Sequence, residues 1–140
     1  MPSRSPTSAA TSKPPDEKIT INLGYVDLGQ IDLLVQEGFY ANRTDLIRTA
    51  IRNQLAVHAE AVKQSVARKT LVLGIQHVTA DELHALRAAG QTLQIRVLGL
   101  ASIAAEVTPE LALATIDSIV VLGALHASPA VKAALASRIR

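Results

Sequence analysis

Several residue types are missing or scarce in this chain of 140 residues, and each absence excludes a class of protein. There is no cysteine, which excludes disulfide staples, thiolate chemistry and cysteine-based zinc sites, and which is consistent with a reducing cytoplasm. Tryptophan is absent and only three residues are aromatic, although 49% of the residues are hydrophobic. The core must therefore consist of aliphatic side chains, and the length predicts one or two small domains.

Long apolar runs are missing as well. No uncharged apolar run approaches the roughly 18–20 residues that a helix needs to cross a bilayer. The N-terminus has no apolar segment typical of a secretory signal. These absences predict a cytoplasmic protein with no membrane partner.

The residue patterns of metal, cofactor and catalytic sites are also missing. No Gly-rich phosphate loop is present, and no Ser/His/Asp order or pair of carboxylates suggests catalysis. The histidines lack the spacing of metal ligands: His58, His77, His84 and His126. We therefore predict no metal site, no cofactor and no enzymatic activity, while a small-molecule effector stays open.

The chain also has little excess of either charge, because the formal net charge is only +2. Residues 1–69 hold nine Lys or Arg against seven Asp or Glu, whereas residues 70–140 hold five of each. The whole excess lies in the first half of the chain. This distribution is consistent with nucleic-acid binding there, but a surplus of this size does not predict it.

Residues 18–23, with the sequence Lys-Ile-Thr-Ile-Asn-Leu, alternate between polar and apolar side chains. In a β-strand, Lys18, Thr20 and Asn22 lie on one face and the three aliphatic residues on the other. An ammonium, a hydroxyl and an amide are groups that hydrogen-bond to base edges in the DNA major groove. One strand is not stable alone, and no nearby segment pairs with it as a hairpin. We therefore expect the same strand of a second copy to pair with it, antiparallel across a two-fold axis.

Two amphipathic helices follow these residues. The first is predicted to begin at Val26 or Asp27 and to end at Glu37, with Gly38 as its left-handed cap. The second is predicted to begin at Thr44, which has the features of an N-cap, with Asp45 in the first turn. The free backbone N–H groups at such a helix start can hold a DNA phosphate.

A strand, a helix, a tight turn and a second helix in this order resemble the ribbon-helix-helix (CopG/Arc/MetJ-type) DNA-binding fold. Three stretches within residues 17–60 carry the resemblance: Thr20-Ile-Asn-Leu-Gly, Ile31-Asp-Leu-Leu-Val and Asn42-Arg-Thr-Asp-Leu-Ile-Arg-Thr-Ala-Ile-Arg. Such families often place a Ser or Pro cap after the strand, whereas this chain has Gly24-Tyr-Val-Asp. The resemblance implies that Lys18, Thr20 and Asn22 read base edges. It also implies that DNA phosphate is bound by Arg43, Thr44 and Asp45, the last through its N–H.

The chain is predicted to divide into four parts. Residues 1–16, rich in Ser, Pro and Thr, form a disordered tail whose Arg4 and Lys13 could contact DNA phosphates or a minor groove. Residues 17–57 form the ribbon-helix-helix domain. Residues 58–69 continue the second helix as a connector, because no Gly or Pro interrupts the pattern between Thr44 and Lys69. Residues 70–140 form a C-terminal domain.

The C-terminal part contains three copies of the tripeptide Val-Leu-Gly, whose glycines lie 25 and 24 residues apart. The segments around them are almost continuously apolar, which predicts parallel strands at residues 71–75, 94–100 and 118–125. A helix-start signal follows each strand. These signals are Thr79 with Glu82 three residues later, Thr108 before Pro109, and Ser128 before Pro129.

We therefore expect an α+β protein whose C-terminal domain has three β-α units. The units form either a leucine-rich-repeat-like solenoid or a small parallel sheet. Their helices are expected to cover one face of the sheet only. The opposite apolar face predicts that residues 70–140 form oligomers beyond the dimer.

The sequence thus predicts a homodimeric protein that binds specific double-stranded DNA sequences in the nucleoid as a transcriptional repressor. Two alternatives stay open. The chain could be a DNA-organising assembly protein driven by its C-terminal repeats. It could also be the antitoxin of a toxin–antitoxin pair, although antitoxins usually carry a short, polar, disordered C-terminal segment.

Overall fold

The computed structural model describes residues 16–140. Apart from Asp16, the predicted N-terminal tail with Arg4 and Lys13 lies outside the described residues. The chain divides into two compact units, one ending at Thr49 and one from Ala50 to Arg140. The boundary falls within a helix.

The first unit contains helix α1 (Tyr25–Gln36) and the first half of helix α2 (Arg43–Val57). Helix α1 begins one residue earlier than the earlier of its two predicted starts, because the extended Gly24 takes the N-cap position. The predicted cap at Gly38 is confirmed, since this glycine has a φ of +87°. Phe39 donates its backbone N–H to the carbonyl of Leu34 at 3.0 Å, which closes the helix end.

The predicted uninterrupted helix from Thr44 to Lys69 is wrong. Helix α2 ends at Val57, and a separate helix α3 (Ala59–Arg68) follows. His58 lies between them with a φ of −100° and a ψ of 11°, and its N–H bonds three residues back to the carbonyl of Leu55. This tightened turn breaks the helix at a residue type that carries no breaking signal.

The remainder of the second unit alternates strands and helices. Its elements are β1 (Val72–Val78), α4 (Ala80–Ala88), β2 (Leu93–Ile103), α5 (Pro109–Thr115), β3 (Ile116–His126), α6 (Pro129–Ala134) and a 3₁₀ turn (Ala136–Arg138). The strands form a small parallel sheet in the order β1-β2-β3.

The three predicted helix starts are confirmed. Thr79 caps α4 by accepting the N–H of Glu82, whose carboxylate accepts the N–H of Thr79 in return. Thr108 and Ser128 cap α5 and α6, each followed by a proline at the first helical position. Local chemistry therefore determines where each of these helices begins.

The three Val-Leu-Gly tripeptides lie side by side in the sheet. Gly74 pairs with Gly99, and Gly99 pairs with Gly123. The φ values of these glycines are +127°, +139° and +123°, which side-chain-bearing residues rarely adopt. A Cβ at Gly99 would lie 2.1 Å from the carbonyl oxygen of Gly74, so the neighbouring backbones approach too closely for any other residue.

The hydrophobic core lies on one face of the sheet. Strand residues such as Ile95, Val97 and Ile119 are fully buried there against Leu83 and Leu135 from the helical segments. The helices of the three β-α units contribute to the core on this one face, as predicted. Helix α3, which precedes the units, lines depressions on the opposite face. Much of that opposite face is nevertheless exposed.

Among residues 16–140, no helix has both the length and the apolarity to cross a membrane. The same part of the chain contains no cluster of three His, Cys, Asp or Glu that could hold a metal ion.

Candidate nucleic-acid interface

The three predicted base-reading residues, Lys18, Thr20 and Asn22, are all exposed. Residues 16–24 have no helix or strand, and residues 18–23 pair with no other segment of residues 16–140. The expected partner strand belongs to a second copy, so the intersubunit ribbon stays a prediction. The structure does leave the segment available, because no hydrogen bond or ion pair joins the three polar side chains to the rest of residues 16–140.

The apolar side of the same segment is exposed as well. Ile19 is 75% exposed, Ile21 is 59% exposed and Leu23 is 41% exposed. Side chains of this type favour burial by roughly 1.5–3 kcal/mol each. One chain alone therefore leaves the aliphatic half of the predicted ribbon in water.

Helices α1 and α2 also leave apolar side chains exposed to water, since neither helix contains a buried residue. Their apolar stripes reach only partial burial, at Leu28, Ile31, Leu34, Val35, Leu46 and Ile47. Indeed, residues 16–57 include no buried residue at all. A pair of amphipathic helices with this exposure lacks part of its core.

Helix α2 is capped by Asn42, so the prediction of Thr44 as N-cap is wrong. The N–H of Asp45 donates to Asn42 Oδ1 at 2.8 Å, and Asp45 Oδ2 accepts the N–H of Ala41 at 2.9 Å. Asn42 was missed as a functional residue, although an acidic residue three positions after an Asn is the signal of such a reciprocal cap. Thr44 lies inside the first turn.

This cap decides which N–H groups of the first turn are available. The N–H of Asp45, predicted to bind phosphate, is engaged by Asn42. The backbone N–H groups of Arg43 and Thr44 form no hydrogen bond within residues 16–140. Unsatisfied N–H groups at a helix start carry partial positive charge and hold anions.

The side chain of Arg43 is also engaged. Its Nε lies 2.7 Å from Asp32 Oδ1 and its Nη2 lies 2.9 Å from Asp32 Oδ2, a two-point ion pair between α1 and the start of α2. The hydrogen bonds from Arg43 hold the pKa of Asp32 below its ordinary value, and the same bonds raise the pKa of Arg43. Nη1 of Arg43 has no acceptor in the described chain, so the guanidinium retains donors for a phosphate.

Two further arginines, Arg48 and Arg52, follow on α2 at the spacing of one helical turn. Both are exposed, and neither forms an ion pair or hydrogen bond among residues 16–140. Residues 18–48 therefore include exposed polar side chains, free N–H groups and an unpaired cation. These are the groups that contact base edges and phosphates in protein–DNA complexes.

Comparisons with known proteins agree with this chemistry. A sequence model of the Ribbon-Helix-Helix transcriptional regulator family matches residues 14–132. No curated protein and no solved structure matches the chain.

Proposed function

The chain belongs to the Ribbon-Helix-Helix transcriptional regulator family, and from this membership we propose that it is a homodimeric repressor of transcription that binds specific double-stranded DNA sequences. Regulators of this family bind DNA and dimerise. What is proposed for this chain is the strand that pairs, the residues that read the DNA and the direction of regulation.

The absence of any buried residue from Asp16 to Val57 carries the proposal. Both helices and the residues before them present apolar side chains that a single chain leaves exposed or half-exposed. A second copy supplies the missing surface if residues 18–23 of the two chains pair antiparallel. Ile19, Ile21 and Leu23 then cover the helices, and the opposite side of the ribbon is polar.

That polar side consists of Lys18, Thr20 and Asn22 from each subunit. A two-stranded ribbon fits the major groove, where an ammonium or hydroxyl donates to purine acceptors and an amide pairs with adenine. Six side chains related by a two-fold axis match a palindromic operator.

The start of α2 fixes the ribbon on the DNA backbone. The free N–H groups of Arg43 and Thr44 donate to a phosphate oxygen, and the remaining guanidinium donors of Arg43 assist. Asp45, whose N–H is engaged by Asn42, contributes by holding the first turn in shape. The phosphate contact therefore depends on the cap as well as on the cations.

Repression follows when the operator overlaps a promoter, because the bound protein excludes the polymerase. This function places the protein on the nucleoid in the cytoplasm. The dimers also associate further through residues 70–140.

Binding titrations test the proposal. Double-stranded DNA selected from a random pool by the full chain serves as the probe, and fluorescence anisotropy gives the Kd. We expect Thr20→Ala and Asn22→Ala each to raise the Kd at least about tenfold, since one good base contact contributes about 1–3 kcal/mol of discrimination. Asn53→Ala, an equally exposed Asn on α2, is the matched control.

Unchanged Kd and sequence preference in both ribbon variants would refute the base-reading assignment. A reporter gene with the selected site in its promoter tests the direction of regulation. Expression must fall when the chain is supplied, and must recover with Asn22→Ala.

A further inference from the structure

The face of the parallel sheet opposite the core carries two aligned rows of aliphatic side chains. In the first row Leu73, Leu98 and Leu122 are direct neighbours, and in the second Ile75, Leu100 and Ala124. These six residues are called the leucine face. They alternate along the strands with the residues of the core side, and none of them belongs to the buried core cluster.

The leucine face is open to solvent to an unusual degree. Leu73 is 67% exposed, Ile75 is 62% exposed and Leu122 is 53% exposed. Parallel sheets are almost always covered on both faces, and here α4, α5 and α6 cover only the other one. Helix α3 covers this face in part and leaves an open groove of about 840 Å³. The groove is lined by aliphatic side chains, among them Leu55, Val62, Leu73 and Leu98, and by the cations Arg52 and Lys63.

We propose that the leucine face packs against the leucine face of a second copy of this chain. The contact is two-fold symmetric, and it joins two ribbon dimers into a tetramer. The contact between the two faces is inferred from the sheet alone. The number of chains in the final assembly depends in addition on the proposed ribbon.

The chemistry of the face favours a second copy as its occupant. A two-fold contact brings the same surface together from both sides, so the surface must tolerate its own image. By alternation along the regularly paired part of the three strands, the face contains no Asp, Glu or Lys, and Asp117 lies at the register shift at one end of it, 3.5 Å from the side-chain amide of Gln94. Its one arginine, Arg96, donates Nε and Nη2 to the carbonyl of Lys69 at 3.1 and 2.7 Å, so its charge is engaged within the same chain. The centre of the face therefore carries no like charges that oppose the contact, and the cations Arg52 and Lys63 are confined to the groove wall.

The extent of the surface also fits. The three most exposed side chains of the face present on the order of 300 Å² of apolar surface, within the range where exposed patches mark interaction sites. The groove wall adds Leu55 and Val62, which are themselves exposed. A stable interface buries about 800 Å² per partner, and the exposed side chains of the face and of this wall supply roughly half of that area.

A tetramer of this kind carries two ribbons. Binding of one ribbon to its operator raises the effective concentration of the other near a second site on the same DNA. The protein is then able to bridge two operators, which also accounts for the DNA-organising alternative.

Sedimentation equilibrium of the full chain measures the assembly. The wild type is expected at the mass of four 14.8 kDa chains. Leu73→Asp and Leu122→Asp, which place a carboxylate on the face, are expected to yield dimers that still bind a single operator with unchanged affinity. Leu113→Asp, a substitution at an exposed leucine of α5, is the control and must remain tetrameric.

A second variant type covers the case in which an aspartate disturbs folding. The chain has no cysteine, so Leu100→Cys introduces a single thiol at the centre of the face. A short bis-maleimide is expected to join Leu100→Cys chains into covalent dimers, and to leave Leu113→Cys chains uncoupled. A wild type that sediments as a dimer, with no cross-linking at position 100, overturns the proposal and leaves the face to a different occupant.

The failure of the ribbon is recognisable separately. Ile21→Asp disrupts the ribbon but leaves the sheet intact, so it is expected to yield a dimer held by the leucine face. A wild-type dimer together with a monomeric Leu73→Asp variant would support the contact between leucine faces and refute the ribbon. If Ile21→Asp yields a monomer, the face contact fails.

Discussion

Arg43 and Asp32, eleven residues apart in the chain, form a two-point ion pair that joins α1 to the first turn of α2. Both side chains are about half exposed, so water and salt screen the pair and its contribution to stability is small. Its main effect is geometric. The pair fixes the guanidinium against α1, and it withdraws two guanidinium donors from the DNA.

The titration of Asp32 reports this pair. Hydrogen bonds from Arg43 stabilise the ionised carboxylate, so the folded-state pKa lies below its ordinary value. The stabilisation is therefore present above the unfolded-state pKa and is lost as the pH falls through the folded-state pKa. We expect Arg43→Ala to raise the pKa of Asp32 toward its ordinary value in an NMR titration. Arg48→Ala, which removes an unpaired cation from the same helix, must leave that pKa as in the wild type.

Release of Arg43 should strengthen its contact with DNA. Asp32→Asn removes a carboxylate and its charge, so the guanidinium becomes free to bind phosphate. We expect tighter binding, because the guanidinium charge is no longer compensated by Asp32 when it meets the phosphate, and a plot of log K against log[salt] that is steeper by up to about 0.9, the value for one neutralised phosphate on duplex DNA. Anisotropy titrations between 50 and about 200 mM salt measure the slope. A slope that Asp32→Asn leaves unchanged contradicts the phosphate role of the Arg43 side chain.

The cap of α2 is expected to contribute to stability, and Thr44 is not. Asn42→Ala removes the acceptor of the Asp45 N–H and should cost about 1 kcal/mol of unfolding free energy, whereas Asn42→Ser should preserve most of it. Thr44→Ala should change stability by less than about 0.5 kcal/mol. Urea unfolding followed by circular dichroism at one protein concentration distinguishes the two positions. An equal loss at both positions would argue against Asn42 as the cap.

Gly99→Ala should be among the most destabilising single substitutions in the sheet. The added Cβ meets the carbonyl oxygen of Gly74 and must also adopt a φ near +139°, so we expect a loss of about 3 kcal/mol or more. Gly74→Ala is the matched control, because its φ of +127° imposes similar strain while nothing lies within 4 Å of the new Cβ. The difference between the denaturant midpoints of the two variants measures the effect of the clash, because both variants share the backbone strain. Equal losses would mean that the strands separate easily at this point.

Local signals made much of the C-terminal unit predictable. The caps at Thr79, Thr108 and Ser128 act within one helical turn, and the shared tripeptides define the register because identical residues lie side by side. Strand lengths were underestimated. Strand β2 continues to Ile103, three residues beyond the predicted end, because residues 101–103 pair with the end of β1 up to Val78.

Features that depend on packing were not predictable. The ion pair between Asp32 and Arg43 joins residues on two elements, and no spacing rule connects them. The break at His58 occurs without Gly or Pro. The cap at Asn42 was predictable in principle, since Asp45 follows it by three residues, whereas a hydrophobic Ile47 follows Thr44 at that distance.

The glycine row in the sheet also has a consequence for the history of the chain. The obstacle at Gly99 and Gly123 is the main chain of the adjacent strand, and no compensating mutation of a side chain is able to remove a carbonyl oxygen. If the three units descend from one ancestral segment, their other positions were free to diverge while the glycine position could not change. The glycine of the shared Val-Leu-Gly is then preserved at Gly99 and Gly123 by the adjacent backbone, and at Gly74 by its positive φ.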